Sequence, residues 1–152
     1  MAPSVPLQEI INTLELQTDD SSAFVNRQTG EILQCTDEMI RKAEEEEDES
    51  APPWMREDLP QIREAQEGEP WVLLPSKFDI HEWEIMREFA EEQSRESARN
   101  ELLNAIRGSG AFRMFREVTS RLGLGKKWRA FRDEALATIA REWAEENGIE
   151  VR

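Results

Sequence analysis

The sequence predicts a mainly α-helical protein with a small β-hairpin, an α+β fold whose C-terminal part is a multi-helix core. Two patterns support this prediction. Apolar residues recur at the three- and four-residue spacing of amphipathic helices through most of the chain, and one stretch near the N-terminus has two short apolar runs around a polar turn. With 152 residues, 38% of them hydrophobic, the chain has about the length of one domain and can bury a core.

The N-terminal segment, residues 1–43, is expected to contain a helix, a β-hairpin and a second helix. The first helix is indicated by Ser4 as its N-cap and by an apolar face of Leu7, Ile10, Ile11 and Leu14. The hairpin is indicated by residues 23–33, in which Gly30 can adopt the left-handed conformation of a bulged turn. The second helix begins near Thr36 and carries Met39, Ile40 and Ala43.

Residues 44–70 are expected to form an acidic linker that contains prolines and a short helix. Residues 44–49 place six carboxylates side by side without the glycine of a calcium loop, which is typical of a solvated helix end rather than a metal site. Pro52 and Pro53 then break any helix. A short helix that packs on the core is expected to carry Trp54, Met55, Leu59 and Ile62.

Residues 71–152 are expected to form the C-terminal helical core, within one compact domain. Residues 71–74 read as a short buried strand or extended segment. The strongest local pattern then predicts a helix that begins after Phe78. Asp79 suits its N-cap, Glu82 completes a capping box, and Phe78 with Trp83 suits a hydrophobic staple.

The remaining helices are predicted from their apolar faces and glycine stop signals. One spans about residues 98–107 and stops at Gly108. Ser109 is expected to cap the next, whose core-facing residues are Phe112, Phe115, Val118 and Leu122. The last runs from about residue 126 to residue 147, with an apolar stripe of Trp128, Phe131, Ala135, Ile139 and Trp143.

The charge of the chain is strongly acidic but unevenly distributed. Lys and Arg number 19 against 33 Asp and Glu, a net charge of −14. Residues 99–132 reverse this balance, with nine basic and two acidic residues and a net charge of +7. The overall charge repels nucleic acids and anionic membranes, so we expect no membrane partner, and nucleic-acid binding is disfavoured unless it is local.

The sequence also indicates the cellular compartment of the protein. Cys35 is the only cysteine, which excludes an intramolecular disulfide, and no apolar run approaches the roughly 18 residues that indicate a membrane span. The first four residues lack the basic and apolar regions of a secretory signal. We therefore expect a cytoplasmic protein.

A basic patch around the predicted glycine turn is the candidate binding surface. Its two glycines let backbone N–H groups approach an anion at a helix N-terminus, and its arginines project opposite the core. The patch consists of Arg107, Gly108, Ser109, Gly110, Arg113, Arg116, Lys126 and Lys127. It suits a non-catalytic interaction module whose partner is an unidentified protein with an acidic surface or a phosphate-bearing molecule.

Two other interpretations of this patch stay open. One is a plain helix–helix turn whose arginines pair with the chain's own carboxylates. The other is a DNA- or RNA-binding regulator that uses the helix, the glycine turn and the following helix as a reader.

Catalysis has the weakest support of the three function classes. His81 is the only histidine, and on a helical wheel it lies near Glu84 and Glu88, which suits a solvated polar face. A hydrolase or metal-dependent enzyme acting through His81 is the least favoured interpretation. We expect no catalytic residue, metal or cofactor.

Arg132 breaks the apolar stripe of the last helix, where an unpaired charge would be costly. We therefore predict a structural ion pair, with backbone carbonyls or the face of Trp128 as the alternative partners.

Several stretches resemble a bacterial family catalogued as uncharacterised protein family (UPF) 0158. They are residues 73–89, LLPSKFDIHEWEIMREF, residues 101–115, ELLNAIRGSGAFRMF, and WRAFR at 128–132 with AREW at 140–143. The N-terminal helix and residues 26–32 are also similar to that family, so the resemblance covers most of the chain. It implies a cytoplasmic bacterial protein and brings no activity, cofactor or catalytic residue to carry over.

Overall fold

The computed structural model describes residues 3–45 and 48–152. Glu46 and Glu47 of the predicted acidic run, and Met1 and Ala2, lie outside the described residues. In chain order the elements are β1 (Ser4–Val5), α1 (Leu7–Leu16), β2 (Ser21–Asn26), β3 (Ile32–Thr36), α2 (Asp37–Glu45), a 3₁₀ turn (Asp48–Ser50), α3 (Pro53–Arg56), α4 (Leu59–Glu67), β4 (Trp71–Leu73), α5 (Lys77–Ile80), α6 (Glu82–Glu91), α7 (Glu96–Ala105), α8 (Ala111–Arg121), α9 (Gly125–Glu146) and β5 (Glu150–Val151).

The predicted fold class is confirmed, because the structure is mainly helical with small β-sheets. The chain forms two compact units. The first contains the residues up to Asp79 together with Ile139–Arg152, and the second contains Ile80–Thr138.

A three-stranded antiparallel sheet organises the first unit. β2 lies in the middle, where Val25 pairs with Ile32 of β3 on one side and with Val72 of β4 on the other. Burying each large apolar side chain stabilises the fold by about 1.5–3 kcal/mol. The core that the sheet shares with α2, α3 and α4 includes Phe24, Leu33, Cys35, Met39, Met55, Leu59, Ile62 and Trp71.

The hairpin between β2 and β3 closes as its turn residues predict. Gly30 has a φ of +80°, the left-handed conformation that glycine adopts without strain, and its N–H donates to the carbonyl of Asn26 at 2.8 Å. The buried Asn26 side chain accepts hydrogen bonds from the N–H groups of Gln28 and Thr29 at 2.8 and 3.1 Å. These bonds satisfy the turn backbone locally.

The predicted linker is part of the folded first unit. Leu59 and Ile62 of α4 are 0% exposed. Arg63 of α4 donates through Nε to the carbonyl of Ala43 at 2.8 Å, and its guanidinium pairs with Asp48. The two units therefore do not divide at the ends of the predicted linker, because its apolar residues pack with the sheet. The prediction of a single compact domain stays a prediction.

Near the chain ends, β1 and β5 pair in parallel. The N–H of Leu7 donates to the carbonyl of Arg152 at 2.9 Å, and the N–H of Arg152 donates to the carbonyl of Val5 at 3.0 Å. The predicted N-cap role of Ser4 is wrong, because Ser4 lies in β1 and Pro6 occupies the N-cap of α1 without a side-chain bond.

The helix predicted after Phe78 is two helices, α5 and α6, separated by His81. His81 has a φ of 53° and a ψ of 55°, the left-handed conformation, and breaks the helical path. The reciprocal capping lies upstream: Ser76 Oγ accepts from the N–H of Asp79 at 3.2 Å, and Asp79 Oδ2 accepts from the N–H of Ser76 at 2.9 Å. The predicted capping box of Asp79 and Glu82 is therefore wrong.

The predicted hydrophobic staple is also wrong. Phe78 is 69% exposed and Trp83 is 43% exposed, which is too open for the apolar contact that a staple requires. Trp83 instead donates through Nε1 to the carbonyl of Ile106 at 2.9 Å. This bond satisfies one of the carbonyls at the end of α7.

An aromatic cluster forms the centre of the second unit. The ring of Phe89 lies 6.2 Å from that of Phe115 and 5.4 Å from those of Trp128 and Phe131. Phe115 and Trp128 meet edge to face at 4.8 Å, and Phe115 is 0% exposed. Such aromatic pairs contribute about 0.5–1.5 kcal/mol each beyond the area they bury.

The predicted core face of α8 is partly wrong. Its buried residues are Ala111, Phe115, Val118 and Thr119, whereas Phe112 is 48% exposed. The helix begins after Gly110, which has a φ of +75° and occupies the N-cap position that was expected for Ser109. At about 100° per residue, Phe112 is rotated off the buried stripe.

The last helix, α9, has the predicted extent within a residue at each end. Its stripe is shifted: Phe131, Ala135 and Ile139 are half-buried, and the buried positions are Trp128, Leu136, Ala137, Ala140, Trp143 and Ala144. In the first unit, Trp143 donates through Nε1 to the carbonyl of Leu73 at 2.9 Å. Within residues 3–45 and 48–152, no helix combines the length and the apolar character needed to cross a membrane.

Candidate functional site

The exposed side of α8 carries a row of polar and basic residues because its other side is buried. Phe115, Val118 and Thr119 point into the second unit, and at 3.6 residues per turn the opposite side falls on a different set. This set, which we name the α8 basic face, consists of Arg113, Arg116, Glu117, Ser120 and Arg121, and it lines an open depression of about 540 Å³.

The arginines of the α8 basic face differ in their pairing. Arg121 donates through Nη2 to Oε1 of Glu101 at 3.2 Å. Arg113 and Arg116 are exposed, and no carboxylate among the described residues forms an ion pair with either of them. Pairing with the acids of the described ranges thus accounts for Arg121 but not for the other two.

The glycine turn before α8 is open to solvent. Arg107, Gly108, Ser109 and Gly110 are all exposed. Gly110 has the left-handed backbone that glycine adopts without strain, whereas a Cβ added at Gly108 would meet nothing among the described residues within 4 Å. The fold therefore explains Gly110 and gives no reason for glycine at position 108.

The other cations of the predicted patch stand apart from the depression. Lys126 and Lys127 are exposed in the first turn of α9. Neither they nor Arg107 line the depression, and none of the three has an ion-pair partner among the described residues. The structure thus brings together Arg113 and Arg116, joins Arg121 to them, and leaves the remaining predicted cations as separate exposed charges.

Two apolar side chains border the α8 basic face. Phe112 is 48% exposed and lies one turn before Arg116, and Met114 is 39% exposed on the other border. The sequence pattern placed Phe112 on the core face and gave Met114 no assignment. Apolar residues at the edges of a helix stripe carry no local signal of whether another element covers them.

Arg132 lies on α9 in the second unit, where its guanidinium meets Glu82 of α6. Nε of Arg132 donates to Oε1 of Glu82, and the side chains are 24% and 23% exposed. The partner of Arg132 is thus the carboxylate of Glu82, the residue that the sequence pattern placed in a capping box with Asp79. No local sequence pattern indicated this pair, because Arg132 and Glu82 lie 50 residues apart in the sequence.

The residues considered for catalysis are dispersed. His81 is exposed between α5 and α6, and the described residues contain no group of three or more His, Cys, Asp or Glu that could hold a metal ion. Cys35 is 2% exposed. Burial, and then the nearby Asp37 carboxylate, raises the pKa of its thiol to about 11, so the thiolate that acts as a nucleophile is disfavoured at neutral pH.

The two units differ sharply in charge. The first has eight Lys and Arg against 23 Asp and Glu, net −15, and the second has 11 against ten, net +1. The α8 basic face therefore belongs to the unit that is nearly neutral, whereas the net negative charge of the chain lies in the first unit.

Comparison of the chain with protein-family models, with curated proteins and with solved structures gave no match.

Proposed function

We propose that the protein is a non-catalytic interaction module of the bacterial cytoplasm, which binds an acidic or phosphate-bearing partner through the α8 basic face. The bacterial and cytoplasmic assignment rests on the resemblance to UPF 0158. The binding assignment rests on the geometry of α8.

One observation carries the proposal. Arg113 and Arg116 are exposed and have no carboxylate partner among the described residues, in a chain with 33 acidic residues. Their planar guanidinium groups suit bidentate binding of a carboxylate or phosphate. Ser120, on the same face, adds a hydroxyl that can donate or accept.

The test measures binding of two probes, a labelled polyglutamate peptide and a labelled oligonucleotide, by fluorescence anisotropy in low salt. Arg113→Glu with Arg116→Glu should weaken binding about tenfold or more. A matched control, Arg41→Glu with Arg95→Glu, makes the same change in net charge at two exposed sites and should bind like the wild type. Equal binding by wild type, variant and control would overturn the proposal.

A second candidate, a DNA- or RNA-binding regulator, is favoured by one observation. α7 and α8 pack on each other across the turn at residues 106–110, and the second of these helices carries the exposed arginines. This candidate expects the oligonucleotide to bind more tightly than polyglutamate, with an affinity that falls steeply as salt is raised. Preference for polyglutamate would exclude it.

A further inference from the structure

Trp54 of α3, in the first unit, is a large exposed aromatic residue outside the α8 basic face. Trp54 is 64% exposed although its neighbour Met55 is 0% exposed. Arg56 holds this segment in place, because its Nε donates to the carbonyl of Ala51 at 2.8 Å and its Nη2 donates to the carbonyl of Glu49 at 2.9 Å. The exposure of Trp54 is therefore a feature of an anchored turn rather than of a loose loop.

The surroundings of Trp54 are acidic on balance, because the two carboxylates of Glu49 and Glu57 outnumber the one guanidinium of Arg56. Glu49 and Glu57 are exposed on either side of it in sequence, and the Arg56 bond to the Glu49 carbonyl brings the two ends of the segment together. No ion pair with a described residue neutralises either carboxylate. We name the set of Glu49, Trp54 and Glu57 the Trp54 surface.

The Trp54 surface and the α8 basic face are complementary. The first offers a large aromatic side chain with two carboxylates, and the second offers two arginines with Phe112 on its border; none of these four charges has an ion-pair partner among the described residues. Tryptophan is the aromatic ring that guanidinium groups stack on most favourably, and Trp and Arg are the residues most enriched at the centres of protein interfaces.

We propose that the Trp54 surface of one copy of this chain docks on the α8 basic face of a second copy, so that the protein associates with itself. Trp54 lies against Arg116 and Phe112 of the second copy, and Glu49 and Glu57 face its Arg113 and Arg116. This inference rests on the proposed function, since it names the partner of the same face.

The composition of the α8 basic face favours a second copy over a polyanion. The face has two arginines without an ion-pair partner among the described residues and also contains Glu117, which repels phosphate, so it offers few of the contacts on which nucleic-acid affinity depends. The net charge of −14 repels a polyanion and a second copy alike, and at about 0.15 M salt, where the Debye length is about 8 Å, this long-range repulsion is weakened for both. A second copy also brings the exposed ring of Trp54 to the arginines and to Phe112.

The first test measures the mass of the full chain by sedimentation or light scattering at about 0.15 M salt, from about 5 to about 300 µM protein. The wild type should gain mass with concentration. Trp54→Ala, and separately Arg113→Glu with Arg116→Glu, should each weaken association about tenfold or more. The control, Arg41→Glu with Arg95→Glu, should associate like the wild type.

The second test mixes the two deficient variants. Each variant keeps the surface that the other lacks, so the mixture should form a complex at a concentration at which each variant alone is still monomeric. A variant that failed to fold could not rescue the other, so rescue also shows that both fold. A wild type that stays monomeric, or a mixture without a complex, overturns self-association. If such a protein still binds the polyglutamate probe through Arg113 and Arg116, the proposed function stands and only this inference fails.

Discussion

Nε of Arg132 donates a hydrogen bond to Oε1 of Glu82 at 2.5 Å, and the two side chains are 24% and 23% exposed. The pair joins α9 to α6 inside the second unit. A charge on an otherwise apolar helix stripe is tolerated here because an opposite charge meets it in a partly buried site.

Removing one member of this pair should destabilise the protein. Arg132→Ala leaves the Glu82 carboxylate without its arginine in a partly buried site, and we expect a loss of about 1–2 kcal/mol in the free energy of unfolding, between the values for exposed and buried pairs. Urea denaturation measures this loss. The control is Arg129→Ala, an exposed position on the same helix, which should change the free energy by less than about 0.5 kcal/mol. An unchanged midpoint in Arg132→Ala would show that the pair contributes nothing.

Two phenylalanines of α8 should respond very differently to truncation. Phe115 is 0% exposed within the aromatic cluster, so Phe115→Ala should cost about 3–5 kcal/mol of stability. Phe112 is 48% exposed, and Phe112→Ala should cost less than about 1 kcal/mol. Thermal and urea unfolding compare the two variants directly. Similar losses in both would mean that Phe112 is a core residue, as the sequence pattern predicted.

At position 81, glycine should give a more stable protein than alanine. Its left-handed backbone costs about 1 kcal/mol for a residue with a Cβ, and glycine removes this cost. His81→Gly should therefore be about 1 kcal/mol more stable than the control His81→Ala, which loses the same imidazole but keeps the strain. Equal unfolding midpoints for the two variants would contradict a strained position.

Because of Cys35, the free energy of unfolding should depend on pH in the alkaline range. Its folded pKa, about 11, lies above the ordinary value of 9.0, so the folded state favours the neutral thiol. Its contribution is complete below pH 9.0 and is lost as pH rises towards about 11, because the unfolded chain ionises first. The difference in unfolding free energy between wild type and Cys35→Ala should shrink over that range, and a constant difference would refute the shift.

The reactivity of Cys35 gives an independent measure of the same site. At about pH 8 the native thiol should react with an alkylating reagent about 100-fold or more slowly than in the urea-unfolded chain, since it is both buried and protonated. Fast native labelling would mean that the sheet opens around β3.

Several features that depend on residues close together in the sequence were predicted correctly, whereas pairings between distant residues were not. The hairpin with Gly30 was predictable because its turn is closed by bonds between residues at most five apart. The ends of α9 were predictable from apolar spacing and the glycine after its last turn. The pairing of β1 with β5 was not, because two-residue strands carry no periodic signal and their partners lie at opposite ends of the chain.

The candidate site shows the same limit. Basic residues opposite an apolar stripe were evident from the spacing of α8, and Arg113 and Arg116 lie there. Whether they were paired could not be derived, because ion pairs such as Arg121 with Glu101 join residues on different helices. The Trp54 surface was missed because Trp54 resembles the core residues Met55 and Leu59 in every property that the sequence displays.

By itself the sequence determined the helical class, the hairpin, the segregation of charge, and the need of Arg132 for a partner, because local spacing, turn chemistry and the cost of burying a charge act at each position. Only the tertiary structure decided that Glu82 is this partner, that Phe112 and Trp54 are exposed, and that Arg113 and Arg116 are unpaired within residues 3–45 and 48–152. Exposure and pairing depend on which helices pack against each other. The residues that meet in this way lie tens of positions apart in the sequence.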